Sequence, residues 1–163
     1  MRGIVAYDSV NGNTKQVAEA IADEIKAQGH EAELIYVKDG GTMPAGGDFL
    51  FIGSPTRAAR MTKRTGEFIE GLDPSYWSNR PIVAFDTVGP LSKDSENRKS
   101  WLEKVDAGDK NAACRIRDAC GGRGLNVRPR LLHLAVVGMW GPLAPDALDM
   151  ARKYTREFLP TVK

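Results

Sequence analysis

The chain is poor in the features that would assign it to a specialised class. It has only two cysteines, Cys114 and Cys120, and two histidines, His30 and His133, which stand far from them. That spacing suits neither a CxxC redox pair nor a four-ligand zinc site, so both thiols are expected as plain buried or half-buried groups. Long hydrophobic runs are missing too. The segment Leu131 to Val137 is interrupted by His133 and falls well short of the ~20 residues of a membrane-spanning helix. The N-terminus reaches Asp8 too soon for a secretory signal, so no membrane association and a cytoplasmic location are expected. Charge of one sign is scarce: 23 Lys and Arg against 21 Asp and Glu leave +2. Arg115, Arg117, Arg123, Arg128 and Arg130 cluster without interleaved aromatics, so a solvated face is expected and no nucleic-acid partner.

Neither GxxxxGK[ST] nor a post-strand GxGxxG is present, which argues against nucleoside triphosphates and against NAD in a Rossmann groove. What remains is an ordinary soluble composition, 42% hydrophobic and 27% charged over 163 residues. A chain of this size buries roughly 70% of its unfolded surface, so one domain spanning residues 1–163 is expected, without disulfide or metal staples.

Hydrophobic patterning gives the class. Ile4 to Tyr7, Phe49 to Ile52, Ile82 to Phe85 and most of Leu131 to Val137 are apolar on both faces, as interior strands of a parallel sheet are. Glu31 to Val37 begins by alternating and reads as an edge strand. Helical spacing follows from Thr14, ending at Gly29, then over Thr62 to Leu72, within Lys110 to Cys120, and over Pro145 to Leu159, with Pro145 in the first turn. Asp39 to Gly47 reads as a connecting loop. Five strands alternating with helices make a doubly wound α/β fold. Pro90 to Asp109 is long and polar for a connection and is expected as a loop, with a short helical turn at Trp101-Leu102 pinned to the body.

In such sheets ligands bind beyond the carboxyl ends of the strands. The first strand runs into Ser9-Val10-Asn11-Gly12-Asn13-Thr14 and then directly into a helix. Amides at a helix N-terminus point at an anion, Gly12 permits close approach, and Ser9, Asn11, Asn13 and Thr14 carry donor side chains. A helix cap needs one such residue. Four around a glycine point to a bound phosphate.

This loop resembles the [ST]-x-T-G-N-T phosphate loop of flavodoxins, with Asn11 in place of the third-position Thr. Gly53-Ser54-Pro55-Thr56-Arg57 is similar to the G-[ST]-P-T-R loop of flavodoxin-like proteins, including NAD(P)H:quinone oxidoreductases, and Gly138 to Leu143 also resembles flavodoxin-type chains. The resemblance implies a three-layer sandwich on a five-stranded parallel sheet of order 2-1-3-4-5. It implies FMN, with the phosphate in the first loop and the ring between Pro55 to Arg60 and Thr87-Val88-Gly89-Pro90. Ser54, Pro55, Thr56, Arg57 and Ala58 then join the first loop and residues 87 to 90 as the cofactor set. Flavodoxins commonly stack aromatics on the ring, yet neither ring-binding loop contains one; Trp101, Trp77 or Tyr76 could substitute, although Trp101 reads first as a clamp packing the long loop onto the core. Ala58 stands where flavodoxins usually have Gly, which would cost about 1 kcal/mol if positive φ is required and leave the one-electron-reduced flavin less stabilised.

Arg57 could lie at the ring edge or pair with Glu67 or Glu70, and Arg60, Lys63 and Arg64 make the rim positive. Redox partner proteins with acidic faces, or an anionic substrate, are therefore expected. The function implied is electron transfer between redox proteins by a monomer or small homo-oligomer. The alternative is an FMN-dependent NAD(P)H:quinone oxidoreductase. A receiver domain is excluded because Gly53-Ser54 and Val137-Gly138 stand where it needs Asp and Lys; a cofactor-free interaction module stays open. Neither histidine reads as catalytic, His30 being expected at the surface and His133 in a core or interface.

Overall fold

The computed structural model describes residues 1–39 and 46–163. Its strands are β1 Arg2–Tyr7, β2 Glu31–Tyr36, β3 Phe49–Pro55, β4 Ile82–Val88 and β5 Leu132–Ala135. All pair in parallel, in the order β2-β1-β3-β4-β5. The expected fold class and the edge position of β2 are thus found.

Among the described residues six α-helices accompany them: α1 Asn13–Ala27, α2 Lys63–Glu70, α3 Pro74–Trp77, α4 Ser95–Ala107, α5 Ala112–Gly122 and, after β5, α6 Ala147–Phe158. Successive strand residues point to opposite faces, and the apolar runs divide accordingly. Val5, Tyr7, Phe49, Phe51 and Phe85 join α1 and α6 in one core. Ile4, Ala6, Leu50, Ile52 and Ala84 join α2, α3 and α5 in the other. Helix α1 ends as its sequence indicates, with Gly29 left-handed at φ 88° and the His30 amide returning to the Ile25 carbonyl.

Two expectations need correction, and one helix was not foreseen. The segment 90–109 is not a loop with one helical turn: it holds the thirteen-residue α4, capped by Asp94, whose side chain accepts from the Asn97 amide at 2.9 Å. Its only fully buried residue is Arg98, so the usual apolar stripe is absent. Pro145 precedes α6 rather than opening it, and Asp146 is the N-cap. Helix α3 was not anticipated; Asp73 caps its single turn and Trp77 fills the second core. Of the expected loop from Asp39 to Gly47, residues 40–45 lie outside the described residues. No helix among the described residues is long and apolar enough to cross a membrane.

Candidate functional site

The sheet order reverses between β1 and β3, and the loops after these strands meet at that point. Gly12 is the N-cap of α1 at φ 88°, a left-handed conformation, with nothing within 4 Å of where a Cβ would stand. Gly12 itself offers no side-chain cap. The Lys15 amide donates to Ser9 Oγ at 3.3 Å and the Gln16 amide to the Gly12 carbonyl. Among the described residues, the amides of Asn13 and Thr14 have no acceptor. Two donors at the positive end of α1 are therefore free for an anion.

The four donor side chains are less free than the sequence suggests. Asn13 Nδ2 donates to the Trp140 carbonyl at 3.1 Å, and the Thr14 and Thr87 hydroxyls share a hydrogen bond of 2.9 Å. Ser9 Oγ accepts from the Gly12 and Lys15 amides, which leaves its own hydrogen available. Tyr36, stacked on Tyr7, fixes the Ser9 carbonyl from β2 at 2.9 Å. Behind the loop the fully buried Asp8 receives the Ser9 amide and a two-pronged contact from Arg64, at 3.2 Å to each oxygen. Arg64 is thus paired and adds no free charge to the rim.

A cavity of about 330 Å³ runs from Asn11 and Asn13 to Pro55, Thr56, Arg57 and Ala58 on one side and Thr87, Gly89 and Pro90 on another. Val136, Met139 and Trp140 complete it. Beyond β3 the chain turns back in a tight hairpin, with Arg57 and Arg60 exchanging two backbone hydrogen bonds of 2.9 Å. Its central residues are Ala58 at φ 49° and Ala59 at φ 65°. Both signs are what a primed two-residue hairpin requires, and both are costly for alanine. Arg57 forms no ion pair with Glu67 or Glu70; Glu67 instead faces Lys63 at 3.9 Å.

Residues 4–119 match the family described as the flavodoxin domain. The chain belongs to that family. The flavodoxin-like domain-containing protein BilS from Clostridioides difficile (strain CD3) is 28% identical over 107 residues, which are 66% of this chain and 57% of that protein. The match thus spans little more than half of that relative's length. Among solved structures, oxidised flavodoxin 1 from Bacillus cereus gives a TM-score of 0.71 at 16% identity with all of both chains covered. A flavodoxin from the domain Archaea gives 0.67 at 18% identity over 99% of each chain. The rubredoxin oxygen:oxidoreductase of Desulfovibrio gigas gives 0.65 at 13% identity, covering 99% of this chain and 36% of that one. At these identities the likeness is one of fold.

Measured against the flavodoxin expectation, nine of the fifteen site residues line the cavity: Asn11, Asn13, Pro55, Thr56, Arg57, Ala58, Thr87, Gly89 and Pro90. Ser9, Gly12 and Thr14 shape the loop behind it, and Val10 points into solvent. Ser54 and Val88 stand outside the cavity lining. Ser54 is buried, its hydroxyl donating to the Pro55 carbonyl and accepting from the Thr62 amide, and Val88 is buried outside the cavity, as alternation along β4 requires. Trp77 is in the core, Tyr76 bonds the Gly47 carbonyl, and Trp101 projects outward from α4 beneath Lys104. None of these three aromatics reaches the cavity. The aromatic that does is Trp140, which with Met139 is exposed and comes from the 138–143 segment.

Sequence reading also missed a buried ionic network beneath the hairpin. Asp86 and His133 stand opposite each other on β4 and β5. Asp86 Oδ1 lies 2.7 Å from His133 Nδ1, while Oδ2 accepts from the Ala113 amide at 3.0 Å and the Thr56 hydroxyl at 3.2 Å. His133 Nε2 lies 3.0 Å from Asp106 Oδ1 at the end of α4. Burial works against charge on this ring, but the hydrogen bond and charge of Asp86, followed by those of Asp106, outweigh it and raise its pKa above the ordinary 6.5. Burial alone pushes the Cys120 thiol up to about 12, so it is inert.

Proposed function

We propose that this flavodoxin-domain chain holds FMN non-covalently and carries electrons between redox partner proteins. The observation that carries the reading is the single cavity joining the open N-terminus of α1 to the hairpin after β3. The donor set fits a phosphate monoester: the Asn13 and Thr14 amides, the Ser9 hydroxyl and the Asn11 side chain, with Asp8 kept from opposing the anion by Arg64. The other end fits a flat, partly apolar ring, offering Pro55, Pro90, Met139 and Trp140 with Thr56 and Thr87 as polar contacts. Bound FMN supplies one- and two-electron redox chemistry. The protein's own part is orientation and electrostatics. Among the described residues Arg57 is the one ionisable side chain of the lining, and it puts a positive charge near the ring.

Arg57, Arg60 and Lys63 are exposed around the cavity mouth, beside the apolar Val10, Met139 and Trp140. This combination suits a redox partner with an acidic face and a small apolar centre. The exposed Met139 and Trp140 also leave room for a small acceptor, which keeps an NAD(P)H:quinone oxidoreductase as the second reading.

Titrating the flavin-free chain with FMN while following flavin fluorescence tests the cofactor. Saturable one-to-one quenching is expected; riboflavin, which lacks the phosphate, should bind far more weakly. Equal binding of the two would overturn the assignment of the first loop. Turnover of NADH or NADPH with a quinone, without any added reductase, would replace electron carriage by the enzymatic reading.

A further inference from the structure

His133 has a carboxylate at each ring nitrogen, 2.7 Å away on one side and 3.0 Å on the other. A neutral imidazole carries one N–H and one lone pair, so only the imidazolium gives both carboxylates a donor. Asp86 is fully buried, and its second oxygen accepts the hydroxyl of Thr56, a residue of the cavity wall. One hydroxyl group therefore separates the cavity from a buried ion pair. Neither Asp86 nor His133 lines the cavity itself.

The Nε2 side of His133 opens to a groove of about 520 Å³ at the free edge of β5. Charged and titratable groups from the neighbouring elements line that groove. Helix α4 contributes Asp106, Glu103 and Lys99; α5 contributes Arg117; α6 contributes Lys153 and the Tyr154 phenol; and Arg130 precedes β5. Of these only Asp106 touches the ring, and Asp106 is 59% exposed, so the buried imidazole has a carboxylate route to water.

We propose that Asp86 and His133 form a charge-setting pair behind the ring-binding hairpin, neutral when His133 is protonated and negative when it is not, and that this charge governs how readily the cavity accepts the negative charge a flavin gains on reduction. Asp106 is the group through which the pair exchanges its proton with solvent. The proposal deepens the FMN reading and rests on it. Asp86 and His133 are positioning residues: they act through Thr56 and touch no cofactor. A fully buried carboxylate that has lost its cationic partner, even with the Ala113 amide still bonded to it, opposes added negative charge nearby far more than a surface one does.

The test is the midpoint potential of the FMN-loaded full chain as a function of pH, measured for the wild type, Asp106→Asn and His133→Gln, beside an NMR titration of the His133 ring in the flavin-free chain. In the wild type the potential should drop through an inflection at the pH where the His133 ring titrates, beyond any slope from the flavin itself. Asp106→Asn removes one acceptor at the surface and should move the NMR titration and the inflection together to lower pH; His133→Gln should abolish the inflection. Should His133→Gln fail to fold, the paired shift in Asp106→Asn decides alone. An inflection that survives in His133→Gln, or stays in place while the NMR titration moves, overturns the proposal and leaves the FMN reading intact. A wild type that takes up no FMN overturns both, a result told apart by the absence of flavin in the protein.

Discussion

Helices α1 and α5 both begin beside the ends of neighbouring strands, and their first turns are treated in opposite ways. In α5 the Ala112 amide donates to Thr56 Oγ1 at 2.9 Å, the Ala113 amide to Asp86 Oδ2 at 3.0 Å, and the Cys114 amide to Asn111 Oδ1 at 2.7 Å. A buried carboxylate from another strand thus neutralises the positive end of that helix. In α1 the first two amides meet no acceptor among the described residues, and the third meets Ser9 Oγ at the longer distance of 3.3 Å. The physics of the two ends is the same. Where the chain supplies the anion, the helix start is architecture; where it withholds one, the helix start is available to a ligand. The neighbouring hairpin carries the same contrast, since left-handed Ala58 and Ala59 hold strain on the open side.

The largest effect should come from abolishing the closed end. Asp86→Ala leaves the His133 imidazolium and the α5 amides without their shared partner, and a loss of about 3–5 kcal/mol in unfolding free energy is expected by chemical denaturation. Closing the open end artificially should do the reverse to function: Asn11→Asp adds a carboxylate at the start of α1 and should weaken FMN binding by about 1–2 kcal/mol, roughly tenfold, without lowering stability. Trp140→Ala is expected to cost FMN affinity about 0.5–1.5 kcal/mol with the thermal midpoint unchanged, because that side chain is 67% exposed. Ala59→Gly should raise stability by about 0.5–1 kcal/mol, the left-handed strain relieved less the backbone entropy of glycine.

The smallest effect is the pH dependence. The folded His133 pKa lies above its unfolded value, so its contribution is fully present below about 6.5 and is lost as pH rises through the folded pKa. The stability difference between wild type and His133→Gln should shrink from mildly acid to mildly alkaline pH. A difference that grew would contradict the two-carboxylate clamp.

Sequence patterning reached the sheet because β1, β3 and β4 each contain a continuous apolar run buried on both faces. It did not reach α4, where Arg98 occupies the place of a core side chain, anchored by the Ser92 and Lys93 carbonyls and by Asp146. The cavity's local parts were legible for a related reason: a helix start with surplus donors is written in six adjacent residues. Trp140 was not, since it reaches the site through a hydrogen bond to Asn13, 127 positions away. The pairing of Asp86 with His133 depends on the register of β4 against β5, and only the assembled sheet supplies that register.

Helix α4 touches the body through Arg98, the half-buried Leu102 and Val105, and Asp106, while most of its length faces water. Of its apolar side chains Leu102 packs against the first apolar layer, and the second layer draws nothing from it. Limited proteolysis should therefore nick the chain here first, and a fluorescent reporter or a tethered second protein could be spliced into this seam without dismantling either side of the sheet.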